Sequence, residues 1–151
     1  MDAATLEMPA TTLEIRADAV DVRPASLWLE QQGNARDIPS DQIFRLDLCF
    51  NEALANVIEH GGLEATLAPV QLSLESGVDN NGGHATLMIS DAGRAFNPLT
   101  ATPKGLPASL ADASPGGLGL GLMISFSDEV TYEHRHGRNF LRFVVRWSAD
   151  Q

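Results

Sequence analysis

The segment SDQIFRLDLCFNEALANVIEHGG, residues 40–62, constrains the fold more than any other stretch of this chain. Pro39 and Ser40 supply a helix start with a good N-cap, and Gly61-Gly62 supplies a stop. Between them Ile43, Leu46, Phe50, Ala53, Leu54 and Val57 recur at helical spacing and gather on one side as the expected core face. A second line runs through Glu52, Asn56 and His60, each four residues from the next, with Glu59 beside it. Each step of four drifts about 40° around the axis, so the three form one polar stripe about 12 Å long. The stripe holds an acid, an amide and an imidazole, with no lysine to pair the acid. Two readings stay open at this point: a solvated face, or the wall of a binding site.

The remaining segments read as a single α+β domain over 11–151, preceded by a tail over 1–10. TTLEIRA (11–17) alternates as a first strand, and a helix follows from Pro24 to a stop at Gly33. VQLSLES (70–76) and HATLMISD (84–91) flank GVDNNGG as a hairpin, and EVTYEH and NFLRFVVRW flank RHGR as another. Between the hairpins, residues 92–115 carry four of the eight prolines and no periodicity, which marks a functional or mobile loop. GGLGLGLMISF (116–126) reads as a glycine-rich turn into a short helix. The predicted architecture is a two-layer sandwich: a mixed, mostly antiparallel sheet with helices on one face.

Composition narrows the function classes. Acids outnumber bases 20 to 10, a formal charge of −10, so a nucleic-acid backbone is a poor partner. No run approaches the roughly 18 apolar residues of a membrane span, and the N-terminus lacks the basic start of a secretory signal. The single cysteine, Cys49, excludes an internal disulfide and suits the cytoplasm. Lys104 is the only lysine, and no GxxxxGK phosphate loop exists. His84, His134 and His136 lack the Cys or acid spacing of a zinc site. Trp28 and Trp147 read as packing residues, and Arg135, Arg138, Arg142 and Arg146 as one solvated edge.

Two further segments bear on the stripe. ISDAGRAFNP (89–98) ends a strand on Asp91 and passes into Ala-Gly. A carboxylate there can accept from an exocyclic amine, and Gly93 lets backbone approach a flat ring; a plain Asp-Ala-Gly turn accounts for the same residues. SPGGLGLGL (114–122) places closely spaced glycines before a helix, where exposed N–H groups can meet phosphate oxygens; a flexible loop end is the alternative.

In this order the three segments resemble the motifs of the Bergerat-fold (GHKL, histidine-kinase-like) ATPase superfamily. NEALANVIEH is similar to its N box, DAGRAF to its G1 box and GGLGLGL to its G2 box. Phe96, Asn97 and Pro98 after the G1 box resemble the anti-sigma-factor serine/threonine kinases. So do Asp128-Glu129-Val130 and the Gly137-Arg138-Asn139 turn, and the likeness spans about residues 11–147.

The resemblance implies ATP and Mg²⁺ as cofactors. It places Asn56 on the metal through its amide oxygen, a hard ligand suited to Mg²⁺. It places Asp91 on the adenine amine with Gly93 and Ala95 close by. It assigns the phosphates to the turn of Gly117, Leu118, Gly119, Leu120 and Gly121, and makes residues of about 92–115 the ATP lid. Glu52 would be the catalytic acid that orients or deprotonates the attacking hydroxyl. Arg94 reads as a solvated loop charge, and Lys104 equally as one or as a contact to the terminal phosphate.

The implied activity is phosphorylation of a STAS-type anti-sigma-factor antagonist on Ser or Thr, with sequestration of a sigma factor as the second function. The alternative is a nucleotide-sensing module that regulates a phosphatase or another regulator by sequestration alone. The resemblance also offers a homodimer face on the first strand and helix, including Leu27, Trp28 and Leu29, whose apolar character the core explains equally. Ala95 departs from the glycine or proline common in the G1 box, and Gly121 from a larger apolar residue. The latter weakens the following helix by about 1 kcal/mol. Ser125 and Ser127 replace longer side chains of the family.

Overall fold

A computed structural model describes residues 6–100, 123 and 125–149. The long helix forms as α2 (Ser40–His60), following α1 (Val22–Ala35). Five strands follow the chain as β1 (Leu6–Ile15), β2 (Val70–Asp79), β3 (Gly82–Asp91), β4 (Glu129–Arg135) and β5 (Arg138–Ser148). They make one sheet in the order β1-β2-β3-β5-β4. Every ladder among the described residues is antiparallel, so the mixed character expected from sequence is absent from them. β1 begins at Leu6, inside the stretch that reads as a tail.

Alternation sets the core. Val70, Leu72 and Leu74 of β2, Ala85, Leu87 and Ile89 of β3, and Leu141, Phe143 and Val145 of β5 all point to one face. Onto that face α2 lays Leu46, Phe50, Ala53, Leu54 and Val57, all buried, and α1 contributes Ala25 and Leu29. Cys49 is fully buried here, and desolvation pushes its thiol up to about 12, so it serves as packing. Trp28 packs against the edge of this core, and the Trp147 ring covers Gly83 on β3.

The helix ends differ from their sequence signals for local reasons. α1 continues past Gly33 to Ala35. There the Ile38 N–H bonds the Gly33 carbonyl at 3.0 Å and the Asp37 N–H bonds the Asn34 carbonyl at 3.1 Å. This is a Schellman stop with Asp37, at φ 55°, in the left-handed position usually given to glycine. Gly33 serves packing instead: a Cβ there would lie 2.7 Å from Ile43, so its absence lets the helices close up. On α2 the cap is Pro39, whose carbonyl accepts from Gln42 and Ile43, and Ser40 is already helical. The first hairpin turns on Asn80-Asn81 rather than the whole of GVDNNGG, because the Asp79 carboxylate takes the Asn81 and Gly82 N–H groups. The last turns on His136 and Gly137, at φ 51° and 75°. Of the predicted helix 116–126, Met123, Ser125 and Phe126 lie among the described residues and are helical.

The arginines of the last hairpin do not form one solvated edge. Arg142 and Arg146 pair with Glu129, and Arg135 lies over the Phe140 ring. Arg138 reaches across the sheet to the Ser90 hydroxyl and carbonyl and the Pro69 carbonyl.

A second arginine holds the other edge. Arg36, 6% exposed, donates to the Met8 and Pro9 carbonyls and the Ser76 and Thr11 hydroxyls, where the β1 register shifts between Met8 and Thr11. The shift leaves strand carbonyls without ladder partners, and the guanidinium fork supplies them. Arg36→Ala should lower the unfolding free energy by about 3 kcal/mol, read as a lower urea midpoint. Arg36→Lys, lacking the fork, should recover only part of it, and an unchanged midpoint in the alanine variant would remove this role from Arg36.

Candidate functional site

The polar stripe of α2 is not a solvated face. Asn56 is 9% exposed, and its side chain makes no hydrogen bond to another described residue. One turn before it Glu52 is half-buried, and its Oε2 is enclosed without a hydrogen-bond partner. Desolvation raises the Glu52 pKa above the ordinary glutamate range. One turn after Asn56 the His60 ring stacks on Phe96, with centroids 4.2 Å apart and planes 17° from parallel.

Phe96 reaches that position because the turn after β3 is fastened to the end of α2. The Arg94 N–H bonds the Gly61 carbonyl at 3.0 Å. A Cβ on Gly93 would lie 2.8 Å from the Gly61 Cα, 2.9 Å from Asp91 Oδ1 and 3.0 Å from the Gly61 carbonyl oxygen. Glycine is therefore required by the close approach of two backbones, which adds a structural reason to the one its motif suggests.

Asp91 ends β3 and is 6% exposed. Its Oδ1 accepts from the Gly93 N–H at 2.9 Å and from Asn139 Nδ2 at 3.0 Å. Its Oδ2 takes no hydrogen bond among the described residues. Asn139, opposite Asp91 in the β3–β5 ladder, also donates to the Gly93 and Arg94 carbonyls. Its Oδ1 accepts from the Phe96 N–H and the Tyr132 hydroxyl. Burial raises the Tyr132 pKa, so the phenol is a neutral donor.

These elements enclose a cavity of about 390 Å³, counting its open mouth. Asn56 and Asp91 line it from different elements, and His60, Arg94 and Phe96 also line it. Ala53, Val57, Ile89 and Leu141 give it apolar walls. An apolar slot with a carboxylate oxygen at its side that is unbonded among the described residues suits a flat heterocycle carrying an amine. The carboxamide of Asn56, unbonded among the described residues, suits a hard cation or a polar ligand group.

Glu52 and Ala95 do not line this cavity: Glu52 lies one helical turn away, and Ala95 is exposed. Arg94 is exposed as expected of a loop charge, yet its guanidinium also lies against Gly62 at the end of α2. The glycine-rich turn of Gly117, Leu118, Gly119, Leu120 and Gly121 lies outside the described residues, as does Lys104. The parts that sequence reasoning misses are Tyr132 and the bonding of Asn139. Asn139 stands out only as part of the Gly-Arg-Asn turn, and strand register is what brings it to Asp91.

Comparisons with known proteins bear on the fold and the family. Residues 15–145 match the histidine kinase-like ATPase domain family. The serine/threonine-protein kinase BtrW of Bordetella bronchiseptica is 37% identical over 131 residues, covering 86% of this chain and 89% of that protein. The fold matches the RsbU and RsbW domains of Rv1364c from Mycobacterium tuberculosis with a TM-score of 0.62 at 13% identity, over 94% of this chain and 34% of that one. It also matches the SiaB–SiaC complex from Pseudomonas aeruginosa with a TM-score of 0.54 at 14% identity, over 91% and 89% of the two chains. By the span of the family match and by its likeness to a kinase of similar length, the chain belongs to the histidine kinase-like ATPase family, among its serine/threonine-protein kinases.

Proposed function

We propose that the protein is an ATP- and Mg²⁺-dependent anti-sigma-factor kinase that phosphorylates a STAS-type antagonist on Ser or Thr and sequesters a sigma factor. The observation that carries the catalytic half is Glu52, a desolvated carboxylate with an unpartnered oxygen one turn from Asn56. A module that only senses nucleotide has no use for that group, whereas a kinase needs a base at the acceptor hydroxyl. The partner-switching half is supported by the BtrW likeness and by the fold shared with an RsbW domain and with SiaB–SiaC.

In this reading Asp91 Oδ2 accepts from the adenine amine while Gly93 and the apolar walls hold the ring. Asn56 holds Mg²⁺ through its carboxamide oxygen. The bound metal offsets phosphate charge, which a chain of formal charge −10 with one lysine otherwise lacks the means to do. The backbone N–H groups of residues 117–121 receive the phosphates, and residues of about 92–115 form the lid. Glu52 removes the proton of the incoming Ser or Thr hydroxyl as its oxygen attacks. The reaction belongs in the cytoplasm, where ATP and a sigma factor meet, and no helix among the described residues is long and apolar enough to cross a membrane.

Mixing the chain with Mg-ATP and a STAS-type protein encoded beside it should yield a phosphoserine or phosphothreonine by mass spectrometry. ATP binding with no transfer to any such protein would favour sequestration alone. Glu52→Gln should keep ATP affinity while transfer falls by about 10²–10⁴-fold. Transfer by the unaltered protein should fall on acidification through a pKa above the usual glutamate value of about 4.3, because the base works only when ionised. The same raised pKa fixes the sign of a stability effect. Protonated Glu52 is favoured in the fold, so the stability it contributes is full below its unfolded pKa and lost as pH rises through the folded one. Glu52→Gln should therefore raise the melting temperature at neutral pH, with the gain fading in acid. Gly93→Ala should lower ATP affinity by at least about tenfold through displacement of the turn from Gly61.

A further inference from the structure

Asn139 sits beside the acid assigned to the base, but its bonding leaves it nothing to offer a ligand. The orientation of its amide is fixed by partners whose character is not in doubt. The Phe96 N–H can only donate, so it marks the side of Oδ1, and the Gly93 and Arg94 carbonyls can only accept, so they mark the side of Nδ2. The Tyr132 hydroxyl is a second donor to Oδ1. One Nδ2 proton is then directed to the Arg94 carbonyl at 2.9 Å, with the Gly93 carbonyl at 3.3 Å beside it, and the other to Asp91 Oδ1 at 3.0 Å.

The consequence falls on Asp91. A free carboxylate rotates about its Cβ–Cγ bond and offers either oxygen. Here Oδ1 is pinned from two sides, by Asn139 and by the Gly93 N–H at 2.9 Å, so among the described residues Oδ2 is the oxygen left for a ligand. A carboxylate oxygen accepts but cannot donate. An acceptor fixed in this place favours a purine with an amine at position 6 and repels one with a carbonyl there.

We infer that Asn139, held by Tyr132, is a positioning residue that sets the preference for adenine over guanine by fixing which Asp91 oxygen meets the base. The inference rests on the assignment of Asp91 to the base and adds a determinant outside the three sequence motifs. Burial supports it: Asn139 is 6% exposed, and Tyr132 is half-buried over it. The same side chain ties β5 to the turn carrying Gly93 and Phe96, so it orients the carboxylate and the ring that lines the slot together.

The test is calorimetric titration of the full chain with Mg-ATP and with Mg-GTP. The unaltered protein should prefer ATP, and Asp91→Asn should abolish the preference. Asn139→Ala should weaken ATP binding by about tenfold or more and bring the ATP-to-GTP affinity ratio down by a similar factor. Tyr132→Phe removes one hydroxyl and leaves the asparagine, so it should lower the ratio by about threefold. It also decides the matter should the alanine variant fail to fold. In transfer assays both variants should raise the KM for ATP with kcat at saturation little changed, whereas loss of folded protein would lower kcat alone. Absence of an ATP preference in the unaltered protein would overturn the assignment of Asp91 and this inference with it. A preference lost in Asp91→Asn but kept within twofold in folded Asn139→Ala and Tyr132→Phe would overturn the inference and leave the assignment standing.

Discussion

The site depends on one backbone junction, the hydrogen bond from the Arg94 N–H to the carbonyl of Gly61, with Gly93 pressed against the same glycine. It joins the end of the helix carrying Asn56 to the turn that begins at Asp91. Without that junction the two motifs would be features of two separate elements, and the His60–Phe96 stack would have no reason to form. The junction needs small residues on both sides, since a side chain on Gly93 meets backbone atoms that cannot rotate away. Two glycines far apart in sequence thus set the width of the pocket.

Much of this was legible in the sequence because the signals were periodic. The long helix, its apolar face and both hairpins follow from spacing and turn chemistry, and the order of motifs identifies the family before any coordinates. The errors fall where local chemistry is ambiguous. Gly33 looks like a helix stop and is a packing notch, while the true stop is an aspartate that tolerates the left-handed conformation. The bonding of Asn139 and of Arg36 is not legible for a different reason: their partners come from strand register and from an irregularity in β1, neither of which leaves a pattern along the chain. The glycine-rich segment 117–121 is conspicuous in sequence and lies outside the described residues, so its part in the site stays a proposal.

Glu52 and Asp91 are two carboxylates held in opposite surroundings. Asp91 is fixed in orientation by two N–H donors on one of its oxygens. Glu52 has an enclosed oxygen with no donor, and desolvation pushes it toward its protonated form. Keeping Glu52 ionised at neutral pH opposes folding slightly, and the packing of α2 against the sheet offsets that cost.

The Asp91–Asn139 bond joins residues 48 positions apart, and β4 lies in the sequence between them. The entropy of closing such a loop grows only with the logarithm of its length, by about 0.6 kcal/mol for each doubling. The recognition end of the pocket is therefore insulated from insertions and deletions in the connecting segment. That segment can vary in length and composition while the slot between α2, β3 and β5 keeps its shape.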